Sequence, residues 1–81
     1  MAIYKYSSFI EKYQGEEKSF DLVYKPGVTP PHSGVYRCQG CGREIVAEES
    51  RKFPPQNHHE HSTDQGEIRW RLTVYADHEP K

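Results

Sequence analysis

The chain has 81 residues, of which 33% are hydrophobic, and its mean hydropathy is -1.01. So small and polar a chain excludes a large core, and domains below roughly 70–80 residues commonly depend on a disulfide, a metal or a partner for stability. The formal net charge of -1 provides no long-range attraction to nucleic acid or to an acidic membrane. We expect one small domain over residues 1–81, with residues 78–81 as a flexible tail.

The cellular compartment is predicted from the start of the chain and from its cysteines. The opening stretch MAIYKYSSFIEKYQGEEK contains no uninterrupted apolar run of the kind a signal peptide needs, and no later segment approaches membrane-spanning length. We therefore expect a cytoplasmic protein without membrane contact. In a reducing compartment the two cysteines are better suited to metal binding or catalysis than to a structural disulfide.

The first part of the chain gives three local predictions. Ala2, Tyr4 and Tyr6 alternate with Ile3 and Lys5, which suits a short strand. Residues 8–11 match a capping box that opens a helical turn, and both conformations stay open for residues 7–13. Residues 18–25 alternate again and predict a strand with one apolar face.

The middle of the chain reads as two short strands between irregular connections. Residues 25–34 hold three prolines and two glycines, which predicts a loop because prolines remove ladder donors and glycines permit positive φ. Residues 35–37 and residues 44–49 are strand candidates, and the stretch CQGCG at residues 38–42 is the turn between them. Residues 50–66 are polar and predict a second irregular connection.

Residues 67–77 give the clearest pattern, because apolar and polar side chains alternate there with period two. The apolar face of this predicted strand consists of Ile68, Trp70, Leu72 and Val74. Trp70 shares that face and should therefore lie in the core. The chain as a whole is predicted to be all-β, a small antiparallel sheet with one short N-terminal helical turn.

The turn CQGCG has the composition of half a metal site. In a Cys-x-x-Cys turn, Cys38 and Cys41 can point to one side of a tight hairpin, with backbone N–H groups donating to the sulfurs. Gly40 and Gly42 fit such a turn because glycine adopts positive φ without strain.

The second half of the predicted site is the stretch NHHEH. Two of its imidazoles would complete a tetrahedral Cys2His2 set for Zn(II), one ion per chain, whose charge the two thiolates offset. His58 and His61 repeat the x-x spacing of the cysteines and are the favoured pair. His59 is the alternative to His58, because alternate residues of an extended chain, such as His59 and His61, face the same way.

Redox chemistry and metal catalysis are the competing uses of these residues. A redox dithiol usually sits where a strand feeds a helix, and REIVAEES after the turn does not have the pattern of an opening helix. A catalytic zinc keeps one coordination position open for water, whereas this chain offers four or more ligands. No nucleophile motif or phosphate-binding loop is present in the sequence, so we expect no catalytic residues.

The polar face of the last predicted strand is a candidate binding surface. Arg69, Arg71 and Tyr75 would share it, and arginine beside an aromatic side chain suits phosphates and stacked bases. A solvated face paired with glutamates of neighbouring strands is the simpler interpretation.

Two resemblances follow from these motifs. Cys38, Cys41 and the histidine triplet resemble the metal set of a zinc-ribbon or rubredoxin-like knuckle protein, which implies a zinc-ribbon-like knuckle within the all-β fold. The runs KPGVTPPHSGVYRCQGCG, FPPQNHHEH and IRWRL, with the opening MAIYKY, resemble a group of very short bacterial proteins, some labelled "protein L". The second likeness implies a bacterial source and no particular chemistry.

The sequence therefore predicts a non-enzymatic module with one structural zinc that binds another macromolecule, with a protein as the expected partner. A zinc ribbon that binds nucleic acid is the alternative, followed by a zinc hydrolase or a metal-handling protein.

Overall fold

A computed structural model of the protein describes residues 1–16, 18–55 and 58–77. The described part contains three β-strands: β1 (Gly34–Cys38), β2 (Glu44–Ala47) and β3 (Trp70–Tyr75). They form one antiparallel sheet in the order β2-β1-β3, so the strand that ends at the cysteine turn is central. The predicted tail at residues 78–81 lies outside the described residues.

Short 3₁₀ turns supply the remaining regular structure of the described residues: Ser7–Phe9, Lys18–Phe20 and Thr63–Gln65. The first lies within the segment for which a helical turn was predicted, although it starts before the capping pattern and has no side-chain cap. The prediction of a small all-β fold with one N-terminal helical turn is therefore confirmed. Among the described residues, no helix has the length and apolar character needed to span a membrane.

The pairing of β1 with β3 contains a bulge. The register places Val74 opposite Val35 but Leu72 opposite Tyr36, which leaves Thr73 as the extra residue. The Thr73 hydroxyl donates to the carbonyl of Val35 over 3.0 Å. The bulge shifts the alternation of β3, so Leu72 is buried and Val74 is only half-buried.

One face of the sheet carries the core, whose buried hydrophobic members are Tyr36, Cys38, Ala47, Phe53, Ile68, Trp70 and Leu72. Trp70 is 0% exposed, as its place on the apolar face of the last strand predicted. Phe53 comes from the irregular connection after β2, and its ring stacks over Trp70 with centroids 6.3 Å apart. That connection therefore covers the sheet and brings the histidine stretch to the same end as the cysteine turn.

The predicted strand over residues 18–25 is wrong. A 3₁₀ turn occupies Lys18–Phe20, and only Tyr24 pairs with the sheet, through two hydrogen bonds of 2.8 Å with Trp70. Pro26 has no N–H group and cannot extend this pairing. Leu22 is 49% exposed, so the alternating pattern does not produce one buried face here.

The N-terminal segment over residues 1–16 is exposed throughout, and residues 2–6 do not form the predicted strand. Its terminal ammonium lies 3.0 Å from a carboxylate oxygen of Glu44 at the start of β2. The segment exposes an unusual number of large apolar side chains: Met1, Ile3, Tyr4, Tyr6, Phe9, Ile10 and Tyr13. None of these side chains is buried, although the Tyr13 ring lies 5.1 Å from the ring of Phe20, which packs against the core.

Candidate metal centre

The cysteine turn connects β1 to β2 and holds both sulfurs at one end of the sheet. The N–H of Gly42 donates to the carbonyl of Cys38 over 2.8 Å, and the N–H of Cys38 donates to the carbonyl of Arg43 over the same distance. Gly42 has φ of 83°, which is the left-handed conformation that glycine adopts without strain. These bonds close the turn around Cys38 and Cys41.

The Cys38 thiol has a pKa below its ordinary value. Burial acts in the opposite direction and raises the pKa, because it disfavours the thiolate. Hydrogen bonds from the backbone of Arg69, Cys41 and Gly40, and from the Cys41 side chain, outweigh burial. The turn therefore stabilises the thiolate, which is the form that binds a metal, at a buried position. Cys41 lies at the surface.

His61 is oriented by the loop that follows it. Its Nδ1 lies 2.7 Å from the carbonyl oxygen of Gly66, which can only accept, so Nδ1 carries the proton. The neutral ring then has its lone pair on Nε2. Ser62 and Gln65 form a capping box around the intervening 3₁₀ turn, with the Ser62 N–H donating to Gln65 Oε1 over 2.8 Å. The Ser-x-x-Gln spacing is a capping signal that could have revealed this support from sequence.

Gly40 allows His61 to approach the cysteine turn. A Cβ atom at residue 40 would lie 2.6 Å from His61 Cε1 and 2.6 Å from the carbonyl oxygen of Gln65. Both distances are shorter than a carbon atom tolerates. Gly40, the first glycine of the stretch CQGCG, is therefore explained by close packing against the histidine, whereas Gly42 is explained by its φ angle.

His59 completes the group. Its Nε2 lies 3.3 Å from Cys41 Sγ and 2.9 Å from His61 Nε2. Burial lowers the pKa of His59, and the nearby charges of His61, Arg43 and His58 lower it further. The ring is therefore held in the neutral form that can bind a metal.

Cys38, Cys41, His59 and His61 together form a cluster that could hold a metal ion, with one candidate donor atom from each within 4.8 Å of the others. A third distance within this group, from Cys38 Sγ to His61 Nε2, measures 3.4 Å. A tetrahedral zinc ion with Zn–S of about 2.3 Å and Zn–N of about 2.0–2.1 Å would separate its ligand atoms by about 3.3–3.8 Å. The donor set has the composition of such a site, and the distances of 3.3 Å and 3.4 Å lie in this range. The two histidine nitrogens are 2.9 Å apart and would have to separate slightly to hold the ion.

His58, the histidine that spacing favoured, is outside this group. Its Nδ1 lies 2.9 Å from His59 Nδ1, and its exposed ring makes an edge contact with Trp70 at 5.9 Å. The arrangement in the structure thus corresponds to the alternative pair of His59 and His61. Which histidines bind a metal stays a prediction.

The side chains of the candidate binding face have partners inside the molecule. Arg69 Nη2 lies 3.4 Å from the carbonyl oxygen of Gln65, and the Tyr75 ring contacts the His32 ring at 5.0 Å. Arg71 Nε donates to the carbonyl of Phe20 over 2.7 Å. These contacts fix loops to the sheet, which sequence alternation alone does not reveal.

Fold and site define this protein as a small all-β protein with a Cys2His2-type cluster that could hold a metal ion. Over 71 residues the chain is 42% identical to the protein named "Protein L" from Escherichia coli, and the alignment covers 88% of this chain and 80% of that protein. The chain therefore belongs to the family of Protein L, as its runs of residues predicted.

No protein-family model matches the chain, and no solved structure matches it. The resemblance to a zinc ribbon accordingly stays a prediction, and the function is argued from the cluster itself.

Proposed function

We propose that this protein is a non-enzymatic module whose fold is held together by one structural Zn(II) on Cys38, Cys41, His59 and His61. The observation that carries the proposal is that two separate loops bring four donor atoms within 4.8 Å of one another. Among the described residues the core has seven buried hydrophobic members, and both cysteines are free thiols, so no disulfide stabilises it. Metal binding would supply the missing folding free energy.

The donor set favours zinc over other common ions. Thiolate and imidazole ligands suit Zn(II), whereas Mg(II) and Ca(II) prefer oxygen ligands. Two thiolates also offset the charge of the ion, which lowers the cost of placing it beside the buried Cys38. Four protein ligands fill a tetrahedron and leave no position for a reacting water, which is the reason for proposing a structural site over a hydrolase.

The ligand count is tested by X-ray absorption spectroscopy of the zinc-loaded protein at the zinc K-edge. We expect two sulfur ligands at about 2.3 Å and two nitrogen ligands at about 2.0–2.1 Å, with no added oxygen shell. A spectrum with three protein ligands and one oxygen would instead indicate an open, catalytic or exchangeable site. A His59→Ala variant should lose one nitrogen from the shell.

We propose further that the module acts in the reducing cytoplasm by binding another protein through its N-terminal segment. The support is the exposure of that segment: Phe9 is 83% exposed and Ile3 is 97% exposed. Clustered exposed apolar and aromatic side chains are typical of protein interaction surfaces. We favour a protein over nucleic acid because the formal net charge is -1 and because Arg69 and Arg71 already contact the protein itself.

This second proposal is tested with a photoreactive benzoylphenylalanine at residue 9, expressed in bacterial cells. The matched control carries the same group at Asp64, an exposed residue of the 3₁₀ turn at Thr63–Gln65. One discrete adduct from residue 9, absent from residue 64 and reduced by a Tyr6→Ser change, is the expected result. Equal labelling from both positions would contradict a binding role for the N-terminal segment.

A further inference from the structure

His58, the first histidine of the stretch HHEH, has a contact that the proposed ligand set does not use. His58 Nδ1 and His59 Nδ1 are 2.9 Å apart, which is hydrogen-bond distance between two ring nitrogens. The rings are nearly perpendicular, with an interplanar angle of 86°. One nitrogen of this pair must donate and the other must accept.

The direction of that bond follows from the position of the metal-facing nitrogen. His59 directs Nε2 toward Cys41 and His61, so Nε2 must be the unprotonated atom when a metal is bound. A neutral imidazole with a free Nε2 carries its proton on Nδ1. His59 Nδ1–H must therefore donate, and His58 Nδ1 must accept. The reverse direction would place the proton of His59 on the metal-facing atom.

We infer that His58 is a positioning residue of the metal centre, which accepts the Nδ1 proton of His59 and thereby fixes the ring tautomer and orientation that presents Nε2 to the ion. This inference rests on the proposed zinc site. Both proposed histidine ligands then donate their Nδ1 proton to a fixed acceptor. For His59 the acceptor is His58, and for His61 it is the Gly66 carbonyl, 2.7 Å away. Partners of this kind commonly change metal affinity by 10–100-fold when they are removed.

His58 also contacts the side of Trp70, and a purely packing role must be separated from the hydrogen bond. The ring centroids of His58 and Trp70 are 5.9 Å apart, and those of His59 and Trp70 are 5.8 Å apart. His58→Phe keeps an aromatic ring there and removes the acceptor. His58→Gln removes the ring and offers an amide oxygen as acceptor.

The experiment measures zinc affinity of the full chain by competition with a chromogenic chelator, for the wild type and the two variants. We expect His58→Phe to bind zinc about 10–100-fold more weakly and His58→Gln to stay within about threefold of the wild type. Cobalt(II) substitution should give the same absorption spectrum for all three proteins, because the ligand set is unchanged. Circular dichroism of the zinc-loaded variants should show the wild-type fold.

Three results would overturn the inference. Weaker binding by His58→Gln with normal binding by His58→Phe would indicate packing against Trp70. A changed cobalt spectrum in both variants would make His58 a ligand, and equal affinities for all three proteins would remove any role. Failure of the zinc site itself is distinguishable, since the wild type would then bind no zinc, or His59→Ala would bind it as tightly as the wild type.

Discussion

His61 donates its Nδ1 proton to the carbonyl oxygen of Gly66 over 2.7 Å, and this bond directs the other ring nitrogen at the Cys38 sulfur, 3.4 Å away. The bond to Gly66 attaches His61 to the short loop that follows it, and the contact with Cys38 connects this histidine to the hairpin turn after β1. Two loops far apart in sequence therefore share one donor cluster, and a metal bound there would join them.

The close approach of Gly40 to His61 predicts that Gly40→Ala weakens metal binding. The added Cβ would lie 2.6 Å from His61 Cε1, so the imidazole must move away from the cysteine turn. We expect zinc affinity to fall about tenfold or more, as for other changes next to a metal ligand. Chelator competition measures it, with Gln39→Ala at the neighbouring exposed position as the control. Equal affinities for the two variants would contradict this packing.

Cys41→Ser separates the contribution of the metal from that of core packing. Cys41 is exposed, and substitutions at such positions ordinarily change stability by no more than about 0.5 kcal/mol. Loss of a structural zinc ligand should instead cost about 3 kcal/mol or more, because metal binding contributes to folding free energy. Urea unfolding with added zinc measures the difference. A Cys41→Ser protein that unfolds at the wild-type midpoint would show that no metal stabilises the fold.

Arg71 attaches the 3₁₀ turn at Lys18–Phe20 to the sheet. Its Nε donates to the carbonyl of Phe20 over 2.7 Å, and its Nη2 lies 3.4 Å from Asp21 Oδ1. We expect Arg71→Ala to lower the free energy of unfolding by about 1–2 kcal/mol, a value reduced for the partial exposure of both partners.

The matched control for Arg71→Ala is Arg51→Ala, which removes a largely exposed ion pair with Glu48. This change should alter the free energy of unfolding by no more than about 0.5 kcal/mol. Urea unfolding of the two variants, both zinc-loaded, gives the comparison. If the two losses were equal, the contact of Arg71 with Phe20 would carry no stability, and the nucleic-acid interpretation of that arginine would regain support.

We expect Tyr36 to lower the free energy of unfolding at alkaline pH. Burial raises the pKa of Tyr36 above its ordinary value, because it disfavours the phenolate. As pH rises above 10.0, the unfolded chain loses the phenolic proton first, so the folded state loses stability until the pH passes the folded pKa. Tyr36→Phe should therefore flatten the decline in unfolding free energy above pH 10.

The same variant has a second expected effect at neutral pH. Tyr36→Phe removes a 2.7 Å hydrogen bond and should cost about 1 kcal/mol. Tyr4→Phe, at a 61% exposed position, is the control for both measurements. An alkaline decline that is as steep in Tyr36→Phe as in Tyr4→Phe would exclude Tyr36 as its source.

Much of the sheet was predictable because its signals are local. Ile68, Trp70 and Leu72 alternate over a run with one buried face, and all three are buried. The cysteine turn was predictable from Cys-x-x-Cys with glycines. The bulge at Thr73 was not, since nothing in the alternation indicates where the register with β1 shifts.

The choice among the histidines depends on tertiary structure. Equal x-x spacing favoured His58, yet the direction of each ring is determined by Gly66, Gln65 and the packing on Trp70. The alternation over residues 18–25 wrongly predicted a strand for a related reason. Long-range contacts hold this segment: the bond from Arg71 to Phe20 and the single bridge between Tyr24 and Trp70. Periodicity carries no information on such long-range contacts.

The most direct measurement is the metal content of the protein purified without added metal, followed by its ¹H–¹⁵N spectrum before and after a strong chelator. We predict one zinc per chain and collapse of the dispersed spectrum once the chelator removes it. A metal-free protein whose dispersed spectrum ignores the chelator would contradict the structural zinc, and Cys38 and Cys41 would then have to be regarded as free or redox-active thiols.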